Sequence, residues 1–330
     1  MTILTRRDFF VASGAAGLAL AAAAPRASAA VAGAYPQRDI SFIIPYGPGG
    51  GFDNFARVVS PAIERHLPNP VNVIPRNVAG GGGGRGITQL FRARPDGYTI
   101  GILNIPGAFF LQERQGGRGF RVAEFTWLGT VSRGENYALA VGADSPLHSI
   151  ADVQALSRQR PVKFTCTGPE GTAYSAAIIS SELLGIDVQL ITGYRSSSDY
   201  IVAAIRGDGD AVLATLSTLK PFMESGTVRI LASFESESSV PGIPDATALG
   251  QPELSQIVVE RVVAAPPGVP DDIKNILVHA LEQAVRDPEV IAWAEDAGID
   301  WHPDPPGSVD GIIRDQAAFF EKWKSRISQS

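Results

Sequence analysis

Short apolar runs alternate with segments of helical periodicity along most of the chain. The runs Asp39–Ile44, Val71–Ile74 and Tyr98–Leu103 each have the length and composition of a buried strand. Between the first two runs, apolar residues recur at helical spacing from Phe52 to Leu67. Strands separated by short helices predict an α/β fold with a mainly parallel sheet.

The same alternation continues to the end of the chain. Further strands are predicted at Tyr137–Val141, Val162–Thr165, Val188–Ile191, Ala211–Ala214, Val228–Ala232 and Ile257–Ala265. Further helices are predicted at Ile87–Phe91, Ile150–Leu156, Ala173–Leu184, Tyr200–Ile205, Leu216–Met223, Asp271–Val285, Glu289–Ala297 and Val309–Ile327. About 300 residues with this pattern are more than one typical core holds, so two lobes are expected.

The first thirty residues follow a different pattern. The pair Arg6-Arg7 precedes the apolar run Val11–Ala24, and Ala27-Ser28-Ala29 follows as an A-x-A site. This order predicts a twin-arginine signal peptide over residues 1–29, cleaved near Ala29 after export to the periplasm. The alternative is a buried N-terminal helix or a short anchor.

Composition narrows the functional classes. The formal net charge of the 330 residues is -6 without a long basic run, which argues against nucleic acid as a partner. The single cysteine, Cys166, is interpreted as a small buried residue, with a reactive thiol as the alternative. The four histidines are not clustered at metal-ligand spacing, and no catalytic motif, metal site or cofactor site is predicted.

Glycine-rich loops directly after strands carry the candidate chemistry. The loop Pro45–Asp53 leads into a helix, whose free N–H groups and dipole favour an anion, although an ordinary β–α turn fits the same residues. The loop Gly80–Gly84 begins a second such turn. It contains a G-x-G-x-x-G match, but no acidic residue follows at the spacing that a dinucleotide site needs.

Two later loops repeat the arrangement. The loop Thr165–Thr172 again joins a strand to a helix. The loop Thr192–Asp199 offers hydroxyls, backbone amides and the guanidinium of Arg195, a set suited to a carboxylate. Its Ser and Asp residues also fit a helix cap, and the two roles are compatible.

Four blocks in order resemble one known family. Pro45–Arg57 resembles the signature P-(F/Y)-x-P-G-G-x-x-D-x-x-A-R, and Arg94–Thr99 resembles a P-D-G-Y-T block. Gly193-Tyr194 with Arg206–Asp208 resembles a GY…R-G-E block, and Val262–Pro270 resembles a late A-P-x-G-x-P segment. The family is the Bug family, the extracytoplasmic receptors of tripartite tricarboxylate transporters.

The resemblance implies a two-lobed periplasmic binding protein fold that closes on its ligand like a flytrap. Lobe 1 would comprise residues 35–139 and 260–330, and lobe 2 residues 140–259, with crossing strands near Leu139–Gly142 and Val259–Val262. It also implies a receptor without enzymatic activity that binds a small organic carboxylate and delivers it to the membrane permease subunits of such a transporter. A monomer is expected.

The resemblance and the loops together predict the ligand-binding residues. Backbone amides of the first two loops would hold one carboxylate, and lobe 2 would meet the rest of the ligand. The predicted residues are Tyr46, Gly47, Gly49, Gly50, Gly51, Asp53, Gly81, Gly82, Gly168, Gly171, Thr172, Tyr174, Tyr194, Arg195 and Thr215.

The chain departs from the family pattern in lobe 2. Tyr174 stands where the family often has His, and Ser196 where it often has Gly. The aromatic residues Phe52, Phe109, Tyr174 and Tyr194 could suit an aromatic or longer apolar carboxylate, and an aliphatic carboxylate is an equally open alternative. Two other functions remain open: a sensory receptor of the same fold that signals to a membrane kinase, and an exported enzyme.

Overall fold

The structure is a computed structural model that describes residues 35–168, 171–297, 299, 301 and 308–329. The predicted signal peptide at residues 1–29 and the histidine His302 lie outside the described residues. The helices and strands described below belong to one compact unit, Pro36–Ser330. None of the described helices has the length and apolar character that a bilayer span needs.

The strands form one continuous, curled sheet. In chain order, the described strands are β1 (Ile40–Ile44), β2 (Val73–Asn77), β3 (Thr99–Ile105), β4 (Thr126–Gly142), β5 (Val162–Thr165), β6 (Val188–Ile191), β7 (Ala211–Thr215), β8 (Val228–Ser233) and β9 (Val258–Ala265). Their order in the sheet is β2-β1-β3-β9-β4-β7-β5-β6, and β8 also pairs with β4.

The helices cover the sheet. They are α1 (Gly51–Arg65), α2 (Gly84–Phe91), α3 (Gly107–Arg114), α4 (Ile150–Ser157), α5 (Thr172–Leu184), α6 (Ser197–Ile205), α7 (Leu216–Glu224), α8 (Asp271–Ala284), α9 (Pro288–Ala297) and α10 (Val309–Gln329). Two charged residues interact favourably with the dipole of α1, because the acidic Asp53 lies in its first turn and the basic Arg65 in its last turn.

Strands β4 and β9, the crossing strands, divide the sheet into two groups of strands, which we call lobe 1 and lobe 2. In lobe 1, β1 pairs in parallel with β2 and β3, and β9 is antiparallel to both β3 and the first part of β4. In lobe 2, β5 pairs in parallel with β6 and β7, and the second part of β4 is antiparallel to β7 and β8. The sheet is therefore mixed: the pairings of β4 and β9 are antiparallel, and those of the outer strands are parallel.

Strand β4 belongs to both lobes. It pairs with β9 from Thr126 to Asn136 and then with β7 from Tyr137 onward. The sequence predicted only its second part, Tyr137–Val141. The first part was missed because bulges interrupt its pairing with β9 and Gly129, Gly134 and charged residues break its apolar pattern.

Helix α3 is the other element that the sequence analysis missed. It follows the cis peptide bond Ile105-Pro106 and is only eight residues long. Its buried residues include Ala108, Phe110 and Leu111, which do not lie on a single face, so no helical period is visible. The remaining predicted strands and helices are present, with ends shifted by at most three residues. Strand β2, predicted at Val71–Ile74, runs from Val73 to Asn77.

The last helix packs against both lobes. Helix α10 contacts α3, α5 and β4. Phe320 on α10 lies with its ring centroid 5.2 Å from that of Phe110 and 5.9 Å from that of Phe109. Phe320 also belongs to the apolar core of lobe 2, together with Phe319 and Trp323. The helix therefore completes the core of lobe 2, although its residues lie in the sequence range predicted for lobe 1.

We predict that Phe320→Ala lowers the free energy of unfolding by about 3 kcal/mol, because it removes a buried ring and leaves a cavity between α10 and α3. Urea denaturation followed by tryptophan fluorescence measures the change. The exposed Val202 provides the control, since Val202→Ala should change the free energy of unfolding by less than about 0.5 kcal/mol. Equal effects of the two variants would contradict the packing role of Phe320.

Candidate functional site

A cleft lies between the two lobes at the crossing strands. Its volume is about 50 Å³, room for a few water-sized groups. Lobe 1 contributes Tyr46, Gly50, Gly51, Phe52 and Asn104; the crossing strands contribute Tyr137, Val259 and Arg261; and lobe 2 contributes Thr167, Thr172, Ala173, Ser197, Tyr200, Thr215 and Thr218.

Four helices begin at this cleft. Gly51 is the first residue of α1, Thr172 of α5 and Ser197 of α6, and Thr215 is the N-cap of α7. Each of the four residues lines the cleft. Helix N-termini carry free N–H groups and the positive end of the dipole, so their convergence favours an anion.

The first glycine loop is held in shape by Asp53. This buried carboxylate accepts hydrogen bonds from the Gly49 N–H at 2.9 Å, from Arg57 at 2.9 Å and from the Asn77 amide at 2.8 Å. Burial alone would raise the pKa of Asp53, but these hydrogen bonds and the charge of Arg57 hold it below its usual value. Asp53 therefore supports the loop from behind and does not line the cleft.

The same loop touches lobe 2 directly. Among the described residues, the hydrogen bonds run from Gly47 N to Arg195 O at 2.9 Å, from Ser198 Oγ to Gly49 O at 2.5 Å and from Gly51 N to Ser197 Oγ at 3.4 Å. A Cβ atom at Gly47 would lie 3.2 Å from Arg195, so the close approach of the two loops depends on glycine there. We call these three hydrogen bonds the interlobe contact.

A buried ion pair forms the floor of the cleft. Arg261 on β9 donates from Nη1 to Glu135 on β4, and their side chains are only 2% and 12% exposed. The guanidinium carbon of Arg261 also lies 4.2 Å from the ring centroid of Phe55 and 5.0 Å from that of Phe52. Stacking and pairing together hold the guanidinium in one orientation.

Three tyrosines surround this floor as neutral groups. Burial raises the pKa of Tyr46 to about 12, although a hydrogen bond with Asn104 and the charge of Arg261 act in the opposite direction. Burial also raises the pKa values of Tyr137 and Tyr200. The phenols therefore stay protonated at physiological pH and offer hydrogen bonds without charge.

Two buried polar atoms beside the cleft have no hydrogen-bond partner among the described residues. They are Oδ1 of Asn104 and Oγ1 of Thr172, on residues that are each 4% exposed. A buried polar atom without a partner costs free energy, and such atoms are rare unless a ligand or an ion satisfies them. Both atoms therefore point to ligand contacts.

The structure brings five of the sequence-predicted residues to the cleft: Tyr46, Gly50, Gly51, Thr172 and Thr215. The others lie elsewhere. Gly47 and Gly49 take part in the interlobe contact, and Asp53 supports their loop. Gly81 and Gly82 lie in a tight turn before α2, beside Gly83, which packs on the Tyr46 ring.

The remaining predicted residues belong to lobe 2. Gly171 caps α5 and donates its N–H to the carbonyl of Gly168. Tyr174 is buried in the core of lobe 2. Tyr194 and Arg195 line a separate surface pocket of lobe 2, together with Asp199 and Arg206. Of the predicted glycines, only Gly50 and Gly51 line the cleft, and Tyr46, Thr172 and Thr215 are the other predicted residues that do so.

Several residues of the cleft were missed by the sequence analysis. Asn104 is the penultimate residue of the buried strand β3, and Tyr137 and Arg261 lie within the crossing strands β4 and β9. Arg261 gave a usable signal, because a charged residue inside the apolar run Val258–Ala265 is unusual in a buried strand. Tyr200 gave no such signal, since a largely apolar helix residue fits the same helical periodicity whether it faces a core or a cleft.

Cys166 is buried and lies outside the cleft lining. Burial raises the pKa of its thiol to about 12, so the thiolate is scarce at neutral pH. Among the described residues, no cluster of three or more His, Cys, Asp or Glu side chains has a metal-binding arrangement.

Sequence comparison places the chain among known receptors. The profile of the tripartite tricarboxylate transporter family receptor matches residues 55–328. A UPF0065 protein of a Pseudomonas species is 26% identical over 324 residues, covering 94% of this chain and 92% of that protein. BugT of Bordetella pertussis is also 26% identical, with 90% of each chain covered. The resemblance to the Bug family is confirmed.

Solved structures share the fold. The periplasmic binding protein BugD superposes with a TM-score of 0.77 at 19% identity, covering 88% of this chain and 98% of that chain. MatC from Rhodopseudomonas palustris with bound malate gives 0.77 at 19% identity, covering 89% and 100%. An R. palustris protein with adipate gives 0.78 at 21% identity, covering 89% and 98%. The predicted two-lobed α/β fold is confirmed.

We predict that Asp53→Asn lowers the free energy of unfolding by about 2 kcal/mol at pH 7, because charge-assisted hydrogen bonds become neutral ones. The folded-state pKa of Asp53 is depressed, so its stabilisation is complete above the unfolded value of about 3.9 and is lost as the pH falls through the folded value. The gap between wild type and variant should therefore close in acid. Denaturation at several pH values measures it, with the exposed Asp144→Asn as control. A gap that stays constant down to pH 2 would refute the ionic role.

We also predict that the Cys166 thiol does not react with Ellman's reagent at pH 8 in the folded protein and reacts fully in 6 M guanidinium chloride. Burial and the raised pKa both suppress the reactive thiolate. Absorbance at 412 nm records the reaction. Rapid labelling of the folded protein would show instead that the thiol is reactive.

Proposed function

The chain belongs to the tripartite tricarboxylate transporter receptor family, and from that premise we propose that it is a periplasmic solute-binding receptor for a small organic carboxylate. The observation that carries the proposal is the convergence of four helix N-termini on one cleft. A carboxylate is the anion whose two oxygens accept several such N–H groups at once. The structural neighbours bound to malate and to adipate support this ligand class.

The carboxylate would sit between the starts of α1 and α5. Gly50 and Gly171 are the N-caps of these helices, and neither makes a side-chain cap hydrogen bond. The starts of α6 and α7 are occupied by the chain's own groups: Ser196 caps α6, and Glu135 accepts the Ser217 N–H. Apart from the Gly51 N–H, which donates to Ser197 Oγ at 3.4 Å, the first turns of α1 and α5 are therefore the seat we propose for an anion.

The lobes would move about the crossing strands. The proposed boundaries are residues 35–139 and 260–330 for lobe 1 and residues 140–259 for lobe 2, and the change of β4 partners near Tyr137 supports them. The interlobe contact would form on closure and break on opening. Because it consists of a few hydrogen bonds, it can be made and broken at modest cost.

The cleft is suited to binding and release. Among the described residues that line it, Arg261 is the only charged one. Its partner Glu135 lies outside the lining and is held by Arg261 and Ser217, and the lining itself contains no carboxylate, imidazole or thiol group that could serve as a base or nucleophile. The receptor would act without turnover and pass its ligand to the permease subunits of a transporter. Export through the twin-arginine pathway, cleavage near Ala29 and a monomeric state complete the proposal.

Titration with carboxylates tests the proposal. Isothermal titration and thermal shift assays of the purified protein should show 1:1 binding and a melting temperature that rises with carboxylate concentration, as mass action requires. Acetamide and glycerol serve as uncharged controls and should give no shift. If no aliphatic or aromatic carboxylate binds, the proposed function is wrong.

Thr172→Val separates ligand binding from stability. The variant keeps the shape of the side chain but removes Oγ1, so carboxylate affinity should fall about tenfold while stability is unchanged or higher. Thr126→Val is the matched control: its hydroxyl bonds the Pro266 carbonyl away from the cleft, so stability should fall by about 1 kcal/mol while affinity stays the same. Unchanged affinity in Thr172→Val would remove Thr172 from the site.

A further inference from the structure

The side-chain charges at the cleft are nearly balanced. Its positive charge is the guanidinium of Arg261, and the carboxylate of Glu135 lies directly against it. Both groups are largely buried, so water screens them little. An incoming ligand group therefore meets a cation and an anion together.

Glu135 occupies the position that a second ligand carboxylate would take. Its Oε2 accepts from Arg261, and its Oε1 accepts from the backbone N–H and the hydroxyl of Ser217 at the start of α7. A guanidinium, a helix N-terminus and a hydroxyl are the groups that bind carboxylates in proteins. Beside this cleft, they already hold the protein's own carboxylate.

From this arrangement we infer that the receptor selects ligands with a single carboxylate and an uncharged remainder, and that Glu135 is the residue that excludes dicarboxylates. The inference rests on the proposed carboxylate-binding function and deepens it. A second anionic group placed near Arg261 would come against Glu135 and be repelled by its charge. A neutral amide or hydroxyl in the same place carries no such penalty.

The rest of the cleft matches an uncharged ligand end. The partnerless Oδ1 of Asn104 accepts a hydrogen bond from a ligand N–H or O–H, and a second carboxylate has no hydrogen to donate. The phenols of Tyr46, Tyr137 and Tyr200 are neutral because burial raises their pKa values. This part of the cleft therefore offers polar contacts for a hydroxyl or amide and no net side-chain charge for a second anionic group.

Malate and its C4 monoamide, malamate, provide a matched pair of probes. They have nearly the same shape, and they differ in whether the end distant from the hydroxyl is a carboxylate or a neutral amide. Isothermal titration of the wild-type protein should give at least tenfold tighter binding of malamate than of malate. This comparison needs no variant, so it does not depend on how a substitution affects folding.

Substitution of Glu135 tests its role directly. In Glu135→Gln, the guanidinium no longer faces an opposing charge, so malate affinity should rise at least tenfold while malamate affinity changes less than threefold. Adding Arg261→Met should cancel the gain for malate, because the attracting cation is then absent. Glu113→Gln, which removes an acidic group from the surface ion pair with Lys324, should leave both affinities unchanged.

The outcomes separate the two proposals. Tighter binding of malate than of malamate by the wild type, or no gain for malate in Glu135→Gln, overturns the selection for single carboxylates but leaves a carboxylate receptor in place. Failure of every carboxylate to bind overturns the proposed function itself. Preference for malamate in the wild type, lost or reversed in Glu135→Gln and restored when Arg261→Met is added, supports both.

Discussion

The antiparallel pairing of β4 with β9 is the constraint on which the rest of the structure depends. Strand β9 joins β3 to β4 in lobe 1, and β4 continues past Asn136 to become part of the sheet of lobe 2. Because the same strand serves both sheets, the helices that follow β1, β5, β6 and β7 all begin near one place. The cleft is thus a result of strand topology, and its anion-binding character comes from helix N-termini whose positions the topology fixes.

The pattern of apolar residues was sufficient to predict most of the outer strands and helices, because each has a clear period or a continuous apolar run. It failed for the first part of β4 and for α3. Glycine and charged residues interrupt the former, and the latter is buried on several sides. Both elements lie close to the join between lobes. There, residues are buried on several sides or line the cleft, so their sequence lacks the simple apolar period of a helix or strand that is buried on one face.

The candidate site was also predictable only in part from the sequence. Glycine loops after strands are local features, and two of the loops identified from the sequence lead to the starts of α1 and α5 at the cleft. Side chains from the crossing strands are not local, since Arg261 and Glu135 are 126 positions apart in the chain and meet only through the register of β4 and β9. Gly81 and Gly82, by contrast, have the composition of an anion loop but support Tyr46 from behind through Gly83. Composition identifies a loop that can expose its amides, but tertiary structure decides what those amides face.

The central place of β9 also has a consequence for how the chain folds. A nascent polypeptide that has emerged only as far as β8 has every parallel strand of both lobes, yet a gap remains between β3 and β4 in the middle of the sheet. Neither the core beneath that gap nor the floor of the cleft exists until residues 258–265 arrive. The middle of the sheet is therefore expected to form last, after β9 has been synthesised, and the non-local pairing of β9 with β3 and β4 makes that step slow. Because β4 contributes to both lobes, cutting either lobe from the chain would remove a strand from the sheet of the other.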